Sequence, residues 1–182
     1  MREHSGNFTF ELLQSINDAV YILDRDGNVV QANDTFCKML GYSSNELLKL
    51  NAKDYNASWD EQKILSTIDK LSTEAETFEI IHRRKDGTSF DVEVSARGIR
   101  INGENYLLCI SRDITERKKS QILIQQSEKK FRALFENAYD PILLLDIKSF
   151  SIIDCNPAAE KLFDKPKAQI LQSLIEDLSP EF

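Results

Sequence analysis

Residues 74–119 alternate between hydrophobic runs that look like strands and pairs that favour turns. Asp-Gly at residues 86–87 and Asn-Gly at 102–103 both favour the positive φ angles of tight hairpin turns. Between them, every second residue from Phe90 to Ala96 is apolar and the intervening residues are polar. This period of two is typical of a strand that packs on one side and faces water on the other. The stretch therefore predicts an antiparallel meander of three strands.

The hydrophobic pattern upstream predicts two more strands. Residues 19–23 read AVYIL, and after an Asp-Gly turn residues 29–32 return as a second strand. Between this hairpin and the meander, apolar residues recur at helical spacing, as at Ile64, Ile68 and Leu71. Two strands, several helices and three further strands predict an α+β fold, in which one five-stranded antiparallel sheet carries helices on one face.

Residues that start helices divide the segment between the strands. Asn33 is a good N-cap, because its side chain accepts hydrogen bonds from the first helical turn. Ser43 and Glu46 have the spacing of a capping box, and so do Ser58 and Glu61. These positions predict three helices ahead of the meander.

A different pattern follows the last strand. Asp113 and Glu116 match a capping box with Asp as the cap, which predicts a helix that begins at or near Thr115. We expect Asp113 to cap this helix and Thr115 to tie the strand end to it. Because strand and helix are joined directly, a change in the sheet could pass to the helix.

The outgoing helix is unusually polar. Residues 115–130 are rich in Lys, Gln and Glu, so core burial alone cannot stabilise this helix. It is either a solvated spacer or it pairs with a partner helix, since Ile124 and Phe131 lie one heptad apart. The sequence leaves both interpretations open for this linker helix.

The end of the chain repeats its beginning. FRALFENAYDPILLLD at residues 131–146 follows the same pattern as TFELLQSINDAVYILD at residues 9–24. Asn156 before Pro157 then stands where Asn33 stood, and Pro suits the first position of a helix. Residues 131–182 are therefore predicted to be the N-terminal part of a second copy, truncated before its meander. We expect the chain to be a piece of a longer multidomain protein.

The composition narrows the function classes. The net charge is −7 over 182 residues, which argues against nucleic acid as a partner. No apolar run approaches about 18 residues and the N-terminus lacks a signal-peptide pattern, so we expect no membrane contact in this segment. The three cysteines, Cys37, Cys109 and Cys155, are far apart and form no CxxC pair, which predicts reduced thiols and a cytoplasmic location.

Five short motifs follow one another in a specific order along residues 8–117. They are Asn17-Asp18-Ala19-Val20, Ala32-Asn33, Leu40-Gly41-Tyr42-Ser43, Arg84-Lys85-Asp86-Gly87-Thr88 and Arg112-Asp113-Ile114-Thr115-Glu116-Arg117-Lys118. Together they resemble a PAS domain with its C-terminal PAC segment, and residues 131–182 resemble the front of a second one. The resemblance implies the sheet described above, a sensory or dimerising role, and an output domain such as a histidine kinase or diguanylate cyclase downstream.

The resemblance also raises the question of a cofactor. In haem-binding PAS domains the axial His usually comes from the long helix, and residues 58–71 contain none. His82 is interpreted as an ordinary residue of an edge strand. The Asn-Cys-Arg-Phe-Leu-Gln run of photosensory relatives is absent, and Trp59 is interpreted as a packing residue rather than a flavin contact. We expect neither flavin nor haem, and no metal site.

A small-molecule ligand would lie in the pocket that the resemblance implies, between the sheet and the helices. The candidate lining residues are Phe36, Met39, Leu40, Trp59, Ile64, Ile68, Phe78, Ile80, Val92 and Val94. The same residues would also fill a solid core, and we favour the filled core.

The sequence contains no phosphoacceptor histidine motif, Gly-rich nucleotide loop or cyclase signature, so we expect no catalysis within these residues. We predict a sensory signal-transduction module that passes a cytosolic cue through Asp113, Thr115 and Glu116 to a downstream output domain. One alternative is a ligand-free scaffold that forms a homodimer through its N-terminal and linker helices. Another is a redox or gas sensor with flavin or haem.

Overall fold

A computed structural model describes residues 14–71, 74–173 and 178 of the chain. The chain divides into two compact units, Met1–Lys118 and Lys119–Phe182. The apolar residues Phe8, Leu12, Leu13 and Ile16 also predict a short helix at residues 8–16, and residues 8–13 lie outside the described part of the chain.

The first unit contains the predicted strands and the helices between them. The strands are β1 (Ala19–Leu23), β2 (Val29–Ala32), β3 (Glu76–Arg83), β4 (Ser89–Ile101) and β5 (Glu104–Asp113). The helices that separate β2 from β3 are α1 (Asp34–Leu40), α2 (Ser44–Leu47), α3 (Ala52–Tyr55) and α4 (Glu61–Leu71). The order confirms the predicted α+β fold.

All five strands belong to one antiparallel sheet with the order β2-β1-β5-β4-β3. The meander of β3, β4 and β5 is confirmed, and β1 pairs with β5 so that the two strand groups form a single layer. Phe90, Val92, Val94 and Ala96 are all buried, as their alternation predicts. They share one hydrophobic core with apolar residues of α1 to α4, which pack on this face of the sheet.

The predicted caps of α1 and α2 are present. The Asn33 side chain accepts a hydrogen bond from the Phe36 N–H at 3.0 Å. Gly41 ends this helix with a φ of 78°, a left-handed conformation that glycine adopts without strain. At α2, the Ser43 N–H donates to the Glu46 carboxylate at 3.0 Å, which confirms the capping box.

The capping box predicted for Ser58 and Glu61 is wrong. Asp60 caps α4 instead, because its carboxylate accepts from the Lys63 N–H at 2.8 Å. The Ser58 hydroxyl accepts a hydrogen bond from the Ile81 N–H on edge strand β3 at 2.7 Å. Ser58 therefore satisfies a donor of the sheet edge rather than the start of the helix.

The second unit contains the repeat. Its elements are the helix α5 (Thr115–Asn137), which begins in the first unit, followed by β6 (Leu143–Leu145), β7 (Ile152–Cys155), α6 (Pro157–Phe163) and α7 (Lys167–Ile170). β6 and β7 form an antiparallel pair. α5 extends beyond the expected linker at residues 115–130 and includes the start of the repeat, so linker and first repeat helix are continuous.

The repeat is visible in one buried side chain of each unit. Asn33 accepts from the Val20 N–H at 3.0 Å, and Asn156 accepts from the Ile142 N–H at 2.9 Å. Each asparagine thus caps the helix that follows it and also fixes the strand that precedes it by about 13 residues. The same asparagine hydrogen bonds therefore stabilise the hairpin in both units.

Candidate sensory cavity and helix exit

A cavity of about 50 Å³ lies between the sheet and helices α3 and α4 of the first unit. Six of the ten predicted pocket residues line it: Trp59, Ile64, Ile68, Phe78, Ile80 and Val94. The other four, Phe36, Met39, Leu40 and Val92, pack in the core without lining the cavity. Pockets for drug-sized ligands usually measure about 300–1,000 Å³, so most of the predicted pocket is filled by side chains.

Five rings form a continuous aromatic cluster beside the cavity. Tyr21 stacks on Phe36 with 3.9 Å between ring centroids, and Tyr55 meets both rings edge to face. Tyr55 and His82 also meet edge to face with 5.1 Å between ring centroids, and His82 and Phe90 do so with 6.0 Å between centroids. Edge-to-face pairs of this kind stabilise a defined side-chain arrangement. The cluster links the cavity to the start of β4.

His82 corrects the interpretation of an ordinary edge-strand residue. It does lie on edge strand β3, but only 2 % of its surface is exposed and its ring lines the cavity. The chain after α3 covers this strand edge, because the Ala57 N–H donates to the Ile81 carbonyl at 2.8 Å and Asn56 forms a bridge with His82. Burial lowers the pKa of His82 to about 4, so the imidazole is neutral at pH 7.

Two polar atoms in this region lack a partner. The His82 Nδ1 atom and the Tyr55 hydroxyl are buried, and neither makes a hydrogen bond to the described residues. Burial also raises the pKa of Tyr55, which keeps the hydroxyl protonated. An unsatisfied buried polar group costs about 1–3 kcal/mol. Both side chains line the otherwise largely apolar cavity.

Sequence reasoning did not select Tyr55 or His82 as site residues. His82 shares strand phase with Phe78 and Ile80, and this phase was the signal that it points inward. Tyr55 lies on a helix of four residues, too short for a periodic pattern to reveal its buried face.

Asp113 joins three parts of the first unit at the end of β5. One carboxylate oxygen accepts from the Thr115 N–H at 2.9 Å, as the predicted cap requires. The other accepts from the Arg84 guanidinium at 2.7 Å. Partial burial favours the neutral acid, but the hydrogen bonds from Thr115 and Arg84 outweigh it and lower the pKa of Asp113.

Arg84 lies between this cap and the aromatic cluster. Its guanidinium stacks on the ring of Phe90 at 3.7 Å from the centroid. It also donates to the Met39 carbonyl in the last turn of α1. One side chain thus contacts α1, the start of β4 and the exit to α5.

The first turns of α5 carry further ion pairs to the sheet. The Lys118 amine lies 2.8 Å from Asp91 and 2.7 Å from Glu79, and Arg117 lies 3.0 Å from Glu79. Glu116 lies in the first turn, where the helix dipole favours an acidic residue. These contacts connect the start of α5 to β3 and β4.

Thr115 connects the strand end to the helix through its backbone, whose N–H donates to the Asp113 carboxylate at 2.9 Å. The predicted exit thus depends on the Asp113 side chain and on the backbone of Thr115.

The cavity does not fit haem or flavin. A space of about 50 Å³ is far smaller than a macrocycle or a tricyclic ring system. One face of Trp59 is occupied by Phe78, whose ring centroid lies 5.0 Å away. Across the described ranges, no cluster of three potential metal ligands occurs, and no helix has the length and apolar character to cross a membrane.

Comparison with known families decides the identity of the fold. A family model described as a PAS domain matches residues 17–116, which is more than half of the chain. A second PAS domain model matches residues 129–182. The chain belongs to the PAS domain family. The matched regions are PAS sensory domains rather than catalytic domains.

Two curated proteins illustrate what these PAS domains are similar to. Sporulation kinase E of Bacillus subtilis is 30 % identical over 92 % of the chain, and a methyl sulfide methyltransferase-associated sensor of Methanosarcina acetivorans is 33 % identical over 74 %. The chain spans only 22 % and 14 % of their lengths. A PAS domain of an HTR-like protein from Haloarcula marismortui has a TM-score of 0.58 at 30 % identity, covering 62 % of the chain and 93 % of that domain.

Proposed function

We propose that this chain is the sensory part of a signal-transduction protein. The first PAS domain senses a small molecule or another cytosolic cue, and α5 passes the change to an output domain in the same polypeptide. The likeness to a sporulation kinase and to a methyltransferase-associated sensor, of which the chain spans about a fifth or less, supports a sensory piece of a longer protein. The three free cysteines and the net charge of −7 support a cytoplasmic module that binds no nucleic acid or membrane through this segment.

The observation that carries the proposal is the position of Asp113 between the sheet and the helix. Its carboxylate binds the first N–H of α5 and the Arg84 guanidinium, which stacks on Phe90. Phe90 contacts His82, and His82 lines the cavity. A cue that moves His82 therefore has a short contiguous route to the start of α5. Such a route transmits a signal when its contacts have two arrangements of similar free energy.

The test is Asp113→Ala in the full-length protein. We expect regulated output to become independent of the cue, because the helix loses its cap and its link to Arg84. The folded structure should persist, since loss of an N-cap costs about 1 kcal/mol. Glu61→Ala is the matched control, because Glu61 belongs to an exposed ion pair with Lys53 away from this route. Unchanged regulation in Asp113→Ala would contradict the proposal.

A second candidate function is a PAS scaffold that dimerises an output enzyme. It is favoured by the apolar side chains that α5 exposes, with Leu123 at 65 %, Ile124 at 67 % and Leu134 at 66 %. Burying these residues against a second copy would stabilise a homodimer. Light scattering of the full chain tests this function: Ile124→Glu should convert a dimer to a monomer, whereas the exposed substitution Lys129→Glu should not.

A further inference from the structure

The cavity of the first PAS domain combines apolar walls with two unpaired polar atoms. Tyr55 is 2 % exposed and His82 is 2 % exposed, and both line the cavity. The Tyr55 hydroxyl and the His82 Nδ1 atom have no hydrogen-bond partner within the part of the chain that the structure describes. Their rings meet edge to face with 5.1 Å between centroids, and the two side chains line the same cavity.

The charge of the site excludes most ionic ligands. Burial lowers the pKa of His82 to about 4 and raises that of Tyr55, so both groups are neutral at pH 7. Among the described residues that line the cavity there is no Asp, Glu, Lys or Arg. An anion or cation placed there would lose its hydration without gaining an opposite charge.

The size of the cavity sets a second limit. A single water needs roughly 10–15 Å³ of such space, so about 50 Å³ holds only a few non-hydrogen atoms. A neutral tyrosine hydroxyl donates and accepts, and a neutral imidazole nitrogen does one or the other. A molecule that offers both a donor and an acceptor would pair both groups.

We propose that the cue bound by this cavity is a small uncharged molecule, of the size and chemistry of a short amide or alcohol, held by hydrogen bonds to Tyr55 and His82. The inference rests on the proposed sensory function and specifies the ligand class of that site. Binding changes the environment of the His82 ring, which is the first contact on the route to Arg84 through Phe90.

The test uses the full 182-residue chain with ¹⁵N-labelled histidine at pH 7. Acetamide and ethanol are titrated as neutral probes, and acetate and methylammonium as charged ones. The ring signal that disappears in His82→Phe identifies His82. We expect a saturable shift of this signal with a neutral probe and none with a charged probe.

Two variants distinguish binding in this cavity from a weak, nonspecific cosolvent effect of the probes. Tyr55→Phe keeps the ring and removes the hydroxyl, and should weaken binding of the neutral probe about 2- to 10-fold, the effect of one neutral hydrogen bond. Tyr106→Phe should leave binding unchanged, because the Tyr106 hydroxyl donates to Glu104 outside the cavity.

Three results would overturn the inference: no saturable shift with either neutral probe, as expected if the cavity takes only water; equal binding of a charged probe; or unaltered affinity in Tyr55→Phe. None of these would affect the Asp113→Ala experiment on regulated output. Failure of the ligand class is therefore distinguishable from failure of the signalling function.

Discussion

The Arg84 guanidinium donates to the Asp113 carboxylate at 2.7 Å, and this pair joins the end of β3 to the start of the outgoing helix. The two residues are 29 positions apart in the chain. Both side chains are about one-third exposed, at 29 % and 34 %, so solvent weakens the pair without removing it. The same carboxylate caps α5, which makes the helix start sensitive to the position of Arg84.

A double-mutant cycle should detect this pair. The variants Arg84→Gln and Asp113→Asn are made singly and together, and the free energy of unfolding of the first domain is measured in urea. Because the pair is partly buried, the coupling free energy between the two substitutions should be about 1 kcal/mol. The exposed pair Lys53–Glu61, with 47 % and 60 % exposure, is the control and should show weaker coupling than the Arg84–Asp113 pair. If the two substitutions change the free energy of unfolding additively, the contact between Arg84 and Asp113 contributes nothing to stability.

The buried imidazole predicts a specific loss of stability in acid. Burial lowers the pKa of His82 from 6.5 to about 4, so the unfolded chain binds this proton at a higher pH than the folded one does. The stability that the neutral His82 contributes is therefore fully present above pH 6.5 and is lost as the pH falls toward 4. When the pH is lowered from 7.5 to 4.5, protonation linked to His82 should reduce the free energy of unfolding by about 2.5 kcal/mol.

The comparison variant for this prediction is His82→Phe, which keeps an aromatic ring and removes the titration. Carboxylates elsewhere titrate in both proteins, so only the difference between the two pH profiles reports on His82. The free energy of unfolding is measured in urea at several pH values. Between pH 7.5 and 4.5 it should fall by about 2.5 kcal/mol less in the variant than in the wild type. Parallel profiles would mean that His82 is solvated or paired in the folded protein.

Asn33 should be one of the most sensitive polar residues of the first domain. Its side chain accepts from the N–H groups of Val20 and Phe36 and donates to the Asp18 carbonyl at 3.0 Å, while its exposure is 1 %. Asn33→Ala leaves these buried groups unpaired and should cost about 2–4 kcal/mol in thermal or urea unfolding. Ser43→Ala removes an exposed cap and should cost no more than about 1 kcal/mol. Similar costs for both variants would contradict the assigned role of Asn33.

Periodic patterns predicted the fold well because each strand of the meander buries one face. The alternation from Phe90 to Ala96 and the turns at residues 86–87 and 102–103 determined strand phase and connection before any contact was known. Asn33 was predicted as a local helix cap, but its second bond to Val20 depends on the folded hairpin. Local rules find such residues without revealing their tertiary partners.

The site was harder to predict because its key contacts link distant segments. The Arg84–Asp113 pair and the ring contact between Tyr55 and His82 each span 27 residues or more. His82 lies on an edge strand, where solvent exposure is the usual expectation, but the backbone at residues 56–58 covers that edge. The size of the cavity follows from side-chain packing at α3 and α4, which periodicity does not describe.

The central claim is that a change at the cavity reaches the start of α5 through Asp113. Hydrogen exchange of the backbone amides at residues 115–118 tests it most directly, with His82→Phe as the change at the cavity. In the wild-type background the substitution should alter exchange there by about 3-fold or more, and in an Asp113→Asn background it should have no effect. An equal change in both backgrounds, or no change in either, would contradict the account.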